Sequence, residues 1–189
     1  MSEPIDDNHP DNTQITSSVD TSVEEGATDG ASEATDKSTK KKSVGSPKAM
    51  ALAARLRAVQ ALYQKIQSKQ SVRQVVNEFL EHRSDMHIDG EPLVPPDALL
   101  FRKIMYGIDE RFTEINSIVE ANLKKDASDR KIELLLHSII VCATYELLIH
   151  EKDAPIIIND YLNIGHSFYE RGEVALINGV LDNIAKLFK

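Results

Sequence analysis

Catalysis and metal binding need reactive side chains brought together, so the placement of the cysteine, histidines and carboxylates comes first. Cys142 lies in the apolar run LLLHSIIVCATYELLI, which contains no Lys or Arg. Thiolate chemistry favours an electropositive, accessible position, so this residue reads as a buried packing thiol. A lone cysteine also excludes an internal disulfide. His137, His150 and His166 stand singly and read as surface or boundary residues. His82 and His87 flank the start of a loop, and without further ligands at metal spacing they read as a solvated pair. The carboxylates are scattered over polar positions, with no spacing that brings two together for acid and base work. There is no glycine-rich phosphate loop after a strand, no paired-histidine zinc helix and no cysteine cluster. The expectation is a protein with no catalytic residue, no metal and no cofactor.

The cations offer a different chemistry, contact with phosphate. Lys48, Arg55 and Arg57 form a small basic cluster at the start of the first apolar-periodic segment. Positions 48 and 55 lie two turns apart on one helical face, so those two side chains could follow a phosphate backbone while Arg57 points elsewhere. The alternative is that Arg55 only solvates the outer face of its helix. Lys40, Lys41 and Lys42 read either as a solvated linker or as a flexible arm that touches phosphates. Asn178-Gly179 falls inside a helical pattern, where Gly costs roughly 1 kcal/mol relative to Ala. That cost points to a close backbone approach, by another helix or by an RNA backbone.

Helices must position these residues. The stretch 129–151 has Ile132, Leu135, Leu136, Ile139, Ile140, Ala143 and Leu147 at helical spacing, with Leu134, Val141, Cys142, Leu148 and Ile149 on the other sides. A helix apolar on nearly all faces must be buried on nearly all faces. Spanning a bilayer takes about 20 apolar residues, and this shorter run carries His137, Ser138, Thr144 and Glu146, so it reads as the central helix of a soluble domain with no membrane partner. Around it the periodicity predicts six more helices: 48–67 behind Ser46 and Pro47, 72–80 behind a Ser71/Gln74 capping box, 100–108, 115–123 after a bend at 107–113, 155–169, and 174–188 beyond Gly172. The stretch 82–97 holds Gly90, Pro92, Pro95 and Pro96 and reads as a loop. No segment alternates like a strand, so the fold class is all-α.

The first 46 residues read as a disordered acidic tail ending in lysines, with the helical domain at 47–189. Up to position 36 the chain has ten acidic residues and no Lys or Arg, and such a segment cannot offset its conformational entropy by burial. Residues 1–47 carry a net −6, so the total of −8 leaves −2 for the rest. A nearly neutral body argues against a strong autonomous nucleic-acid binder, whose usual footprint is a clearly basic face. The N-terminus has no apolar signal core and is too acidic for a transit peptide, which sets a cytoplasmic expectation.

Three blocks, AARLRAVQALYQ at 53–64, ATYELLIHEKDAPIIIND at 143–160 and INGVLDNIAK at 177–186, together resemble the bacterial transcription antitermination factor family NusB. Order and spacing match over about 48–188, including Phe101-Arg102 and the Gly107 that follows. The resemblance implies a compact fold of seven helices in two subdomains, without catalysis. It implies binding of boxA-type RNA of nascent ribosomal transcripts together with NusE, a small-subunit ribosomal protein, within an RNA polymerase antitermination complex. It leaves the oligomeric state open between monomer and homodimer.

Carried onto this chain, the resemblance makes Lys48, Arg55, Arg57, Arg171, Gly172 and Leu176 the candidate RNA-facing positions. The family's arginine-rich first turn and a half reads KAMALAARLR here, and Val141 replaces an arginine ahead of the Tyr-Glu-Leu triplet. Gly172 and Leu176 stand where the family often has Asp and Phe near the RNA. RNA binding by the chain alone is therefore expected to be weak. Two other readings are a helical scaffold that has lost RNA binding and an accessory domain like those fused to rRNA cytosine methyltransferases. The latter would need a separate catalytic chain, because no cofactor-binding sheet follows the last helix.

Overall fold

A 22-residue helix opens the structure because its first turn is capped twice over: Ser46 Oγ accepts from the Ala49 amide at 3.2 Å, and Pro47 needs no amide partner at the helix start. The computed structural model describes residues 45–82, 87–88, 91–126, 132–150 and 153–188. The tail expected over the first 46 residues, with Lys40, Lys41 and Lys42, lies outside them up to position 44. In chain order the elements are α1 (Pro47–Ser68), α2 (Val72–His82), β1 (His87–Ile88), β2 (Glu91–Pro92), α3 (Ala98–Asp126), α4 (Leu134–Ile149), α5 (Ala154–His166) and α6 (Arg171–Leu187). The described residues form one compact unit.

Local signals explain most of the boundaries. Lys69 ends α1 in the left-handed conformation, φ 56°. Ser71 and Gln74 form the reciprocal capping box at the start of α2: the Gln74 amide donates to Ser71 Oγ at 3.3 Å and the Ser71 amide to Gln74 Oε1 at 3.0 Å. Asp97 Oδ1 accepts from the amides of Leu99 and Leu100, and the Asp97 amide donates to the Met50 carbonyl at 3.0 Å, which ties the start of α3 to the first turn of α1.

Three expectations are corrected. The helices predicted at 100–108 and 115–123 are two arms of one α3, kinked where Arg111 leaves helical geometry at φ −110° and ψ 19°, so there are six helices among the described residues. The helix continues because Phe101, Ile104, Met105, Ile108, Ile115 and Val119 keep both arms on the core. The stretch read as a plain loop contains a two-residue antiparallel pair, with His87 opposite Pro92 and Ile88 opposite Glu91. Finally, Gly172 does not separate the last two helices. That connection is 167–170, with Phe168 and Tyr169 in it, and Gly172 sits in the first turn of α6.

The run at 129–151 is the centre, as α4. Every residue from Ser138 to Leu147 is buried, and α4 packs against α1, α3, α5 and α6 in one continuous core. The buried hydroxyls of Ser138 and Thr144 donate to carbonyls one turn back, each at 2.8 Å. Gly107 of α3 faces Tyr145 of α4 so closely that a Cβ there would overlap the phenol ring. Gly165 of α5 similarly admits Ile177 of α6. Phe79 of α2 stacks on Phe101 of α3, ring centroids 6.0 Å apart. No helix among the described residues is long and apolar enough to cross a membrane.

Candidate nucleic-acid interface

The first half of α1 was expected to present Lys48 and Arg55 side by side. Lys48 is exposed, but Arg55 turns inward. Its Nε and Nη2 donate to the two carboxylate oxygens of Glu146 at 2.9 and 2.7 Å, and its Nη1 donates to Asp160 Oδ2 at 2.8 Å. Tyr161 donates to the same Glu146 Oε1 at 2.8 Å. The Glu146 side chain is fully buried and that of Arg55 is 11% exposed. Burial by itself would pull the guanidinium down, but the Glu146 hydrogen bonds and the surrounding negative charge raise it above its ordinary range. Burial pushes the Tyr161 phenol well up, reinforced by the Glu146 charge, so it stays a donor. The correction has a plain cause: a carboxylate buried on the central helix must be compensated, and Arg55 is the fork that reaches it.

The remaining candidates lie apart. Arg57 is buried at the junction of two grooves. Arg171 and Gly172 are exposed on the first turn of α6, and nothing would meet a Cβ on Gly172. Leu176 is half-buried and packs on the core. Gly179 is half-buried within α6. Cys142 is fully buried, and burial followed by the Glu146 charge pushes its thiol well above the usual range. Among the described residues no three His, Cys, Asp or Glu side chains come together as a metal site.

What the sequence reading missed is a groove of about 690 Å³ along the second half of α1. Arg57, Gln60, Tyr63, Gln64 and Gln67 form one wall, one side of a helix at spacings of three and four. The end of α2 at His82, the start of α4 at Glu133 and Leu135, and Phe168 in the α5–α6 connection close it. Tyr63 and Phe168 are 36% and 44% exposed. The amides are partly fixed: Gln64 Nε2 donates to Glu78 at 2.8 Å and Gln70 at 3.1 Å, and Gln67 Nε2 donates to the Tyr63 hydroxyl at 3.2 Å. Two accessible rings among glutamine amides can stack unpaired bases and bond their edges. The signal was available as the Gln60, Tyr63, Gln64, Gln67 spacing, but Tyr63 and Phe168 also fit the apolar periodicity and were assigned to it. The first two turns of α1 line a second groove, of about 320 Å³, where Ala49, Leu52, Ala53 and Leu56 face Leu93, Val94 and Ile164.

Residues 52–186 match the family model described as the NusB family. The chain belongs to the NusB family. It is 40% identical over 136 residues to a transcription antitermination protein NusB of Allorhizobium ampelinum, covering 71% of this chain and 84% of that one. To the NusB of Agrobacterium fabrum it is 37% identical over 136 residues, covering 71% and 82%. The fold superposes on T. maritima NusB with a TM-score of 0.57 at 24% identity, over 75% of this chain and 92% of that one. It superposes on a chain from a crystal structure of a plectonemic RNA supercoil with a TM-score of 0.60 at 20% identity, covering 72% and 94%. The all-helical NusB fold thus stands on sequence and on shape, with α2 to α5 wholly inside the matched residues and α1 and α6 largely so.

Proposed function

We propose that the protein is a non-catalytic RNA-binding factor of transcription antitermination, taking boxA-type RNA of ribosomal transcripts together with a NusE-type small-subunit ribosomal protein, as part of the RNA polymerase antitermination complex in the cytoplasm. Membership of the NusB family carries this reading. The groove supports it chemically: Tyr63 and Phe168 offer stacking faces, and Gln60, Gln67 and Arg57 surround them. One fold neighbour comes from a crystal structure that holds RNA. With Arg55 held by Glu146 and Asp160, Lys48 and Arg171 are the exposed cations of the expected set. Affinity for RNA alone is then low, because phosphate contacts release counter-ions and few are available, and the partner supplies the rest.

The test is a titration of labelled boxA-type RNA with the full chain, with and without purified NusE-type protein, beside Tyr63→Ala and Phe168→Ala. Stacking on an aromatic contributes about 1 to 3 kcal/mol per base. Each variant should therefore weaken the ternary complex at least fivefold while the partner still binds. Wild-type binding that the partner does not tighten, or variants as tight as wild type, would refute the reading.

A further inference from the structure

A second accessible surface lies at the other end of α4 from the groove. Leu99 and Ile156 are 76% and 57% exposed, large fractions for side chains of this kind in a core-forming chain. Leu99, Lys103 and Tyr106 follow one another on a single face of α3. Lys103 Nζ lies 3.2 Å from His150 Nε2 at the end of α4, and Leu100 and Ile156 line one cavity of about 290 Å³ beside that histidine. The cavity thus has the start of α3 on one side and the start of α5 on the other. The groove with Tyr63 and Phe168 touches α4 only at Glu133 and Leu135, fifteen residues from His150, or roughly 22 Å along a helix.

The charge of this surface selects its occupant. Arg102 and Lys103 project beside Leu99, both exposed and neither ion-paired with a carboxylate among the described residues. Asp97 is spent on capping α3, and Asp153, exposed at the N-cap position of α5 without a side-chain cap hydrogen bond, is the other carboxylate at this rim among the described residues 97–106 and 150–157. Lys103 is a donor, so His150 meets it as an acceptor.

We propose that Leu99, Arg102, Lys103, Tyr106, His150 and Ile156 form a protein-docking surface for an acidic segment bearing apolar side chains, separate from the RNA groove. The apolar side chains of the segment cover Leu99 and Ile156, and its carboxylates meet Arg102 and Lys103. Because the surface and the groove sit at opposite ends of α4, both can be occupied at once. The protein would then hold RNA at one end and a second protein at the other. This assignment stands on the geometry of α3, α4 and α5 and holds whether or not the groove binds RNA.

The full chain, with backbone and methyl groups labelled for NMR, is titrated with a synthetic amphipathic helix of leucines and glutamates, and separately with its lysine counterpart. The acidic peptide should shift Leu99, Lys103, Tyr106 and Ile156 saturably, and the lysine peptide should not. Charge reversal at exposed positions, Arg102→Glu with Lys103→Glu, should weaken the acidic peptide at least tenfold, and so should Leu99→Asp with Ile156→Asp. Circular dichroism and the thermal midpoint check that both double variants remain folded. Equal binding of the two peptides, or shifts confined to Tyr63 and Phe168, would overturn the proposal. So would shifts of Leu99 and Ile156 by single-stranded RNA alone, or concentration-dependent self-association abolished by the aspartate variant, which would assign the face to RNA or to a second copy.

Discussion

At Arg55 one side chain changed meaning between sequence and structure. In the sequence it was a cation two turns from Lys48, and in the fold it is the counter-charge for Glu146 and Asp160, whose side chains are 0% and 2% exposed. Removing one partner of a buried pair leaves the others uncompensated and costs about 3 to 5 kcal/mol. Arg55→Ala should therefore lower stability by that order in urea unfolding, whereas loss of an exposed arginine would cost well under 1 kcal/mol. His137 gives a pH signature. Burial lowers its pKa against a weaker opposing pull from Glu120, and its Nε2 lies 2.9 Å from Asn116 Oδ1. A histidine depressed in the folded state binds its proton more readily when unfolded, so its contribution is complete above the unfolded value near 6.5 and is lost as pH falls below it. His137→Gln should flatten the fall in unfolding free energy between about pH 7 and 5. An unchanged slope would show that other groups carry it.

Elements meet at glycines, and the fold uses them in opposite ways. At Gly107 a Cβ would overlap the Tyr145 ring, so α3 and α4 approach as they do only without a side chain there. Gly107→Ala gains about 1 kcal/mol of helix propensity but forces overpacking that costs typically 1 to 3 kcal/mol. With the phenol ring wedged between helices, the net effect should be destabilising, visible as a lower thermal midpoint. Gly172 has open space around its Cβ position in the first turn of α6. Gly172→Ala should stabilise by about 0.4 to 1 kcal/mol, chiefly by restricting the unfolded chain. The same substitution thus has opposite signs at the two sites, and two thermal melts decide it. Sequence alone suggested a bend at 107–113. The kink falls within that stretch, at Arg111, and only the packed partner showed that Gly107 itself serves contact.

For the whole molecule, charge placement sets the salt response. Lys48 is the exposed cation on the first turn of α1, and Arg55 is spent internally, so Lys48→Glu should weaken the RNA and partner complex at several RNA sequences alike and reduce the slope of log affinity against log salt by about 1. Titrations at two salt concentrations measure it, and an unchanged slope would remove the start of α1 from the RNA site. The sequence by itself determined the all-helical class, the capped starts of α1 and α2, the central position of α4 and the family. The first three rest on local chemistry or on periodic apolar residues, which act within one element, and the family on the order and spacing of three sequence blocks. Tertiary structure decided which cations remain available, that Tyr63 and Phe168 share a groove, and that the two arms of α3 are one helix. Those outcomes join residues distant in sequence, such as Arg55 with Glu146 and Asp160. A periodic pattern tells which face of a helix is buried, but the partner across that face is chosen by how the helices pack.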